Sequence, residues 1–88
     1  MKYEVLVKRN VTKKIRSIPK PYIAKVYAAF KELAKHPRPS GSKKLKGKTE
    51  TYRLRIGIYR IIYTIDDVVR IVHIERLLHR QEGYQSKK

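Results

Sequence analysis

The segment TYRLRIGIYRIIYTID, at residues 51–66, carries the residue types and spacing that are best suited to chemistry. Glycine at the first position of a two-residue loop suits a type II′ turn, so Gly57 predicts a β-hairpin. Counting outward from the loop pairs Arg55 with Arg60, and alternation along a strand places Arg53 on the same face. Because a guanidinium forms bidentate, charge-assisted hydrogen bonds to phosphate, this face is predicted to bind phosphate.

The predicted pairing of Arg55 with Arg60 is unfavourable for stability alone. Like charges directly opposite each other destabilise a sheet by about 0.2 to 1 kcal/mol unless an anion or a partner acid neutralises them. Two other interpretations remain open, because long arginine stems can simply cover an exposed sheet and because such a face could contact an acidic protein. The strained pairing favours an anion site.

The C-terminal segment LLHRQEGY places His79, Arg80 and Tyr84 just beyond a third predicted strand. If this strand pairs antiparallel with the second strand of the hairpin, its C-terminal end returns to the start of that strand. An imidazole, a guanidinium and a phenol would then lie close to Arg55 and Arg60. This expectation depends on the register across the Asp-Asp turn that precedes the third strand.

Two amphipathic helices are predicted between an N-terminal strand at 2–7 and the hairpin. The first is expected to be capped by Asn10 or Thr12 and to end near proline, and the second to begin around Pro21. Apolar residues at i, i+3, i+4 and i+7 give the second helix one buried face. Four tyrosines on faces assigned to burial are predicted to be core residues: Tyr27, Tyr52, Tyr59 and Tyr63.

Three apolar-rich runs at 51–56, 59–65 and 68–78 predict an antiparallel β-meander after an exposed loop at 36–42. The resulting fold class is α+β with two layers, in which the N-terminal strand and the helical hairpin pack on the meander. The other face of the sheet is expected to stay open. A chain of 88 residues supports one modest core, so a single domain over 1–88 is expected, with a frayed tail at 85–88.

The charge composition predicts a polyanionic partner. The chain has 23 Lys and Arg against 7 Asp and Glu, a net charge of +16, and cations that neutralise phosphates release condensed counterions. The absence of cysteine excludes disulfides and thiolate chemistry. With no carboxylate cluster and no histidine ligand spacing, no metal and no cofactor are expected. No apolar run suits a membrane span or signal peptide, which predicts a soluble, cytoplasmic protein without a membrane partner.

Four blocks of sequence resemble the RelE/ParE toxin superfamily of toxin–antitoxin modules, and in particular its RelE-like branch: KKLKG, TYRLRIGIYRIIYTIDD, VRIVHI and LLHRQEGY. The resemblance implies a small sheet packed against a helical hairpin. It also implies a metal-independent endoribonuclease that cleaves messenger RNA in the ribosomal A site and inhibits translation. A cognate acidic, RelB-like antitoxin is the implied protein partner, besides the ribosome and mRNA.

The resemblance also implies which residues act. Arg55 and Arg60 would stabilise the phosphorane formed when a ribose 2′-hydroxyl attacks the adjacent phosphate, and Arg80 would serve as acid or second clamp. Tyr84 would be the base, its pKa lowered by nearby guanidinium groups, with His79 as the alternative acid or base. Further basic residues are expected to bind and orient the RNA backbone: Arg53, Lys43, Lys44, Lys46 and Lys48.

Two other functions of the same fold compete with the nuclease. One is a ParE-like, non-enzymatic inhibitor of DNA gyrase, and the other is an inactive RNA-binding relative; the fold alone does not separate them. The presence of the five implied arginine and tyrosine residues favours the nuclease. Some relatives use a glutamate base just before the first catalytic strand, but lysines occupy that stretch here.

Overall fold

A computed structural model describes residues 2–47 and 49–81 of the chain. Its elements follow in the order β1 (Glu4–Val7), α1 (Arg9–Ser17), α2 (Lys20–Lys35), β2 (Ser42–Lys44), β3 (Thr51–Ile56), β4 (Tyr59–Asp66) and β5 (Ile71–His79). None of the helices in these two ranges is long and apolar enough to span a bilayer.

The five strands form one mixed sheet in the order β1-β5-β4-β3-β2, with β1 parallel to β5 and every other pair antiparallel. The two helices pack on one face, which confirms the predicted two-layer α+β class. The meander is one strand longer than expected, because the basic segment supplies β2 as an edge strand. Strand β2 has only three residues, two of them lysines, so it lacks the alternation of apolar and polar residues that would predict a strand.

The N-terminal end of helix α1 differs from the prediction. Lys8 is the N-cap residue of α1 and no side chain caps the helix, so the predicted caps are wrong. The Asn10 amide instead donates to the Glu75 carbonyl oxygen at 3.4 Å, and the Thr12 hydroxyl donates to the Lys8 carbonyl oxygen at 3.4 Å. Helix α2 has Pro21 in its first turn, as predicted.

The core lies between the helices and one face of the sheet, with Val11, Val26, Ile61 and other aliphatic residues fully buried. Of the four tyrosines predicted for the core, Tyr52, Tyr59 and Tyr63 are buried. The prediction for Tyr27 is wrong: its side chain is 45% exposed and its ring packs edge-on against Phe30. Burial raises the pKa of Tyr63 to about 12, and its hydroxyl donates to the Pro37 carbonyl oxygen at 2.8 Å.

The hairpin between β3 and β4 has the predicted register, with Arg55 opposite Arg60 and Arg53 opposite Ile62. Gly57 has a φ of +60° while Ile58 does not enter the positive-φ region, as a type II′ turn requires. A Cβ on Gly57 would lie 2.7 Å from a ring carbon of Tyr22. Backbone conformation and the close approach of α2 therefore both require glycine there.

A β-bulge interrupts the pairing of β4 with β5. Ile62 lies opposite Arg76 and Tyr63 lies opposite Ile74, so Glu75 is the extra residue of β5. On the helix-free face, Ile62 is only 1% exposed and Leu78 only 3%. The face predicted to stay open therefore has an apolar floor, with Arg53 and Arg76 as the cross-strand neighbours of Ile62 and Arg60 as that of Leu78.

Candidate nucleic-acid interface

The helix-free side of the sheet carries a group of cations that we call the arginine face, defined as Lys43, Arg53, Arg55, Arg60 and Arg76. Two rows of paired residues run across the strands. The first contains Lys43, Arg53, Ile62 and Arg76, and the second contains Arg55, Arg60 and Leu78. Alternation along each strand sends all five cationic side chains to the same side, so their charges add over a small surface.

No carboxylate of the described residues forms an ion pair with the arginine face; the pairs that involve Glu50, Asp67 and Glu75 join them to cations elsewhere. Arg60 is half-buried, and its Nε atom finds no acceptor within residues 2–47 and 49–81. Its Nη2 atom donates to the Arg80 carbonyl oxygen at 3.2 Å. Arg55 and Arg76 are exposed, so their guanidinium donors are available to an anion.

The chain immediately after β5 is fixed against the hairpin turn. The Arg80 amide donates to the Ile58 carbonyl oxygen at 2.6 Å, which places Arg80 next to Arg60. The register of β5 with β4 returns the C-terminal end of β5 to the start of β4, where His79 lies opposite Tyr59. The antiparallel return expected from the sequence is therefore confirmed.

A family model described as "ParE toxin of type II toxin-antitoxin system, parDE" matches residues 2–84. The chain belongs to this toxin family. It is 32% identical over 91 residues to candidate toxin RelE1 of Methanocaldococcus jannaschii, covering 98% of this chain and 99% of the relative. It is 30% identical over 86 residues to toxin RelG of Mycobacterium tuberculosis, covering 97% of this chain and 99% of the relative.

The solved structures agree with this assignment. The RelE–RelB complex of Pyrococcus horikoshii aligns with a TM-score of 0.84 and 28% identity, covering 94% of this chain and 100% of the matched chain. The family resemblance predicted from the sequence is confirmed. The protein is a RelE-like toxin of a type II toxin–antitoxin module.

The histidine proposed as an alternative acid or base does not join the arginine face of the toxin. The ring of His79 packs edge-on against Tyr59 at 5.5 Å, on the helix-covered side of the sheet. Its Nδ1 atom accepts a hydrogen bond from the Gln81 amide at 3.2 Å. Tyr84, the other proposed base, lies outside the described residues.

The predicted RNA-binding lysines of the toxin divide between its surfaces. Lys43 faces Arg53 across β2 and β3 and so lies on the arginine face. Lys44 points to the opposite side of the sheet, with its Nζ atom 3.7 Å from the Glu50 carboxylate. Lys46 lies in the turn that follows β2, and Lys48 lies outside the described residues.

Two residues of this surface were missed by sequence reasoning: Arg76, which belongs to the arginine face, and Glu75, which borders it. Simple alternation along the third strand does not predict their positions, because the bulge at Glu75 shifts the phase. The sequence contains one sign of the bulge. Ile74 and Leu77 are both core residues, although strict alternation would place residues three apart on opposite faces. Within the described part of the toxin, no group of three acidic or histidine side chains is suited to hold a metal ion.

Proposed function

We propose that the toxin is a ribosome-dependent endonuclease that cleaves messenger RNA in the A site and thereby inhibits translation. The observation that carries the proposal is the pairing of Arg55 with Arg60 on a surface where no carboxylate of residues 2–47 and 49–81 forms an ion pair with either arginine. A phosphate that develops extra negative charge in the transition state would be stabilised by these donors more than the ground state is. A cytoplasmic location follows from this target.

The reaction proposed is transesterification within the RNA chain. The 2′-oxygen of a ribose loses its proton to a base and bonds to the adjacent phosphorus, and the bond from phosphorus to the 5′-oxygen breaks. The products are a 2′,3′-cyclic phosphate, or its hydrolysed form, and a 5′-hydroxyl that has gained a proton from an acid. Guanidinium groups alone can carry the charge of the phosphorane, so the step requires no metal ion.

We assign the roles as follows. Arg55 and Arg60 stabilise the phosphorane, and Arg53 orients the RNA backbone from the neighbouring row. Arg80 acts as acid or second clamp, and the hydrogen bond that its backbone carbonyl oxygen accepts from Arg60 holds the main chain of Arg80 beside Arg60. Tyr84 is the preferred base, since the packing of the alternative histidine on the helix-covered side argues against that residue.

Binding of RNA extends beyond the reacting phosphate. Lys43 shares the arginine face and is the best placed of the predicted RNA-binding lysines that the structure describes. We assign Lys44, Lys46 and Lys48 to the outer electrostatic field, in which each neutralised phosphate adds to affinity and to its salt dependence.

The partner that silences the toxin is proposed to be an acidic, RelB-like antitoxin. Solved relatives include RelE–RelB complexes, such as the one from Pyrococcus horikoshii. An antitoxin segment rich in carboxylates would neutralise the arginine face and exclude RNA from it. Its affinity for this surface should therefore fall as salt concentration rises.

A second function, non-enzymatic inhibition of DNA gyrase, is favoured by one observation: the matching family model is that of the ParE toxins. The two proposals are separated by incubating the toxin with purified ribosomes on a defined mRNA and mapping 5′ ends by primer extension, beside a gyrase supercoiling assay. New ends within A-site codons, with supercoiling unaffected, would support the nuclease. Inhibited supercoiling with intact mRNA would overturn it in favour of the second function.

A further inference from the structure

A cavity of about 390 Å³ adjoins the arginine face at the bulge between β4 and β5. Its walls combine polar side chains with one apolar floor residue: Lys8, Asn10, Thr51, Ile62, Thr64, Glu75 and Arg76. This volume lies within the range of small-ligand pockets, roughly 300–1,000 Å³. The proposed phosphate chemistry at Arg55 and Arg60 does not use the cavity.

The bulge places the Glu75 carboxylate at the border of the arginine face. As the extra residue of β5, Glu75 lines the same cavity as Arg76, although the two are consecutive in a strand. One Glu75 oxygen pairs with the Lys8 ammonium, and the other accepts a hydrogen bond from the Thr64 hydroxyl at 3.2 Å. The carboxylate is thereby held in place, and bulges commonly serve to re-aim a side chain in this way.

The held carboxylate keeps hydrogen-bonding capacity. An ionised carboxylate offers about four lone-pair sites, of which Lys8 and Thr64 occupy one on each oxygen. Each oxygen therefore retains an acceptor site that can take part in a bidentate contact with two parallel N–H donors. Such contacts are suited to reading the edges of unstacked bases in single-stranded RNA.

Of the four RNA bases, only guanine presents two adjacent donors, N1–H and the 2-amino group, on its Watson–Crick edge. Adenine and cytosine present one amino group beside an acceptor nitrogen, and uracil flanks its single N–H with two carbonyl oxygens. Facing a carboxylate, those acceptors are repelled. Ile62 lines the cavity but is only 1% exposed, whereas Arg76 is exposed and its guanidinium can stack on the plane of the base.

The cavity is also at a suitable distance from the proposed reaction site. Along β4, Arg60 lies two residues from Ile62 and four from Thr64, which corresponds to roughly 7 to 13 Å at 3.3 Å per residue. One nucleotide, or two successive ones, can bridge this span. A phosphate on the Arg55–Arg60 row and a base in the cavity can therefore belong to the same stretch of RNA.

We propose that this cavity is a guanine-binding subsite, in which the Glu75 carboxylate accepts hydrogen bonds from N1–H and the 2-amino group of a guanine in single-stranded RNA. The inference rests on the proposed function and gives that site a base preference. Phosphate contacts to the arginine face would then position the RNA, and Glu75 would select the base.

The test measures binding of the full toxin to 2′-O-methyl pentanucleotides, which lack the attacking hydroxyl, by fluorescence anisotropy. One position carries guanine, inosine or adenine, and all other positions are uracil. We expect guanine to bind roughly 10-fold more tightly than adenine, because a good bidentate contact discriminates by about this factor or more. Inosine, which lacks the 2-amino group, should fall between them. Glu75→Gln should remove the preference, and Glu32→Gln, the same change on an exposed helical glutamate, should retain it.

Equal binding of the three oligonucleotides to the wild-type toxin, no measurable binding, or a preference that survives Glu75→Gln would each overturn the subsite. The inosine comparison needs no variant, so it decides the matter even if Glu75→Gln fails to fold. Guanine preference without cleavage on ribosomes would support the subsite and overturn the nuclease. Cleavage on ribosomes without a guanine preference in binding would support the nuclease and overturn the subsite.

Discussion

Two regions of the toxin place arginine among other polar residues and use it in opposite ways. Arg38, in the loop after α2, donates from Nη2 to Glu50 at 2.8 Å and to Asp67 at 2.7 Å, and from Nε to the Tyr52 hydroxyl at 2.9 Å. On the arginine face, by contrast, Arg55 and Arg60 face each other, and no carboxylate of the described part of the chain forms an ion pair with them. The same side chain is fully paired in one region and repelled in the other.

The difference shows that neighbours, not residue type, decide what an arginine does. The pairing around Arg38 joins the chain before β3 to the β4–β5 turn, and Tyr3 adds a 2.6 Å hydrogen bond to Asp67. That network links distant segments and serves stability. Under the proposed function, the arginine face gives up stability in exchange for donors that bind a ligand, as functional sites commonly do. Matched substitutions in the two regions should therefore change different properties.

The largest expected effect is on activity, from Arg60→Met. Methionine keeps an apolar stem beside Leu78 but removes the guanidinium donors. Loss of one preorganised donor to the transition state typically lowers kcat by roughly 10²–10³-fold. We expect growth arrest and A-site cleavage to be lost while the urea unfolding curve stays close to that of the wild type. Wild-type cleavage rates in this variant, with Arg38→Met as the matched control, would contradict the proposed site.

The same change in the other region should act on stability. Arg38→Met leaves the Glu50 and Asp67 carboxylates and the Tyr52 hydroxyl without their shared donor. We expect the free energy of unfolding to fall by about 1 to 2 kcal/mol, discounted for the exposure of the network, and Tm by roughly 5 to 15 °C. Thermal melts followed by circular dichroism measure this. An unchanged Tm would show that the network contributes nothing beyond solvated surface pairs.

The two regions also differ in how well the sequence predicts them. The register of the arginine hairpin follows from local rules, because a glycine in a two-residue loop and the period of two fix which side chains share a face. Local pattern does not predict the network of Arg38, because its partners Glu50 and Asp67 are 12 and 29 residues away in the sequence. Only the assembled sheet brings them together.

Strand β2 and the bulge at Glu75 were also not predictable from local sequence pattern, for different physical reasons. Strand β2 depends on pairing with β3 rather than on its own composition, so its lysine-rich sequence does not signal it. The bulge at Glu75 reverses the phase of β5, and strict alternation misplaces the residues around it. Helix α2 was predictable from its periodic apolar residues, whereas the start of α1 was not, because no side chain caps it.

Acid should lower the stability contributed by the Arg38 network, because that network contains two carboxylates. Hydrogen bonds from Arg38 hold the pKa of Asp67 and of Glu50 below their ordinary values. Their contribution to stability is therefore complete above the unfolded pKa values, near 4, and is lost as pH falls through the lower folded values. In urea titrations between pH 7 and pH 3, the stability gap between wild type and Arg38→Met should narrow toward acid. Arg60→Met should instead keep a small, constant difference from the wild-type free energy of unfolding at every pH. A constant difference for Arg38→Met as well would show that the two carboxylates do not cause the pH dependence.

The smallest expected effect has the opposite sign and tests the strain itself. Arg55→Gln removes one charge of the Arg55–Arg60 pair, so the free energy of unfolding should rise by some tenths of a kcal/mol, within the range of about 0.2 to 1 kcal/mol for cross-strand pairs. The gain should shrink between 20 mM and roughly 500 mM salt, because exposed charges are screened. Arg76→Gln is the matched control, since that arginine lies on the same face but opposite Ile62. A double-mutant cycle of Arg55→Gln with Arg60→Gln isolates the coupling. If Arg55→Gln instead lowers the free energy of unfolding and the cycle gives an attractive coupling energy, the two arginines stabilise the hairpin. The argument for an anion site, which rests on their repulsion, would then fail.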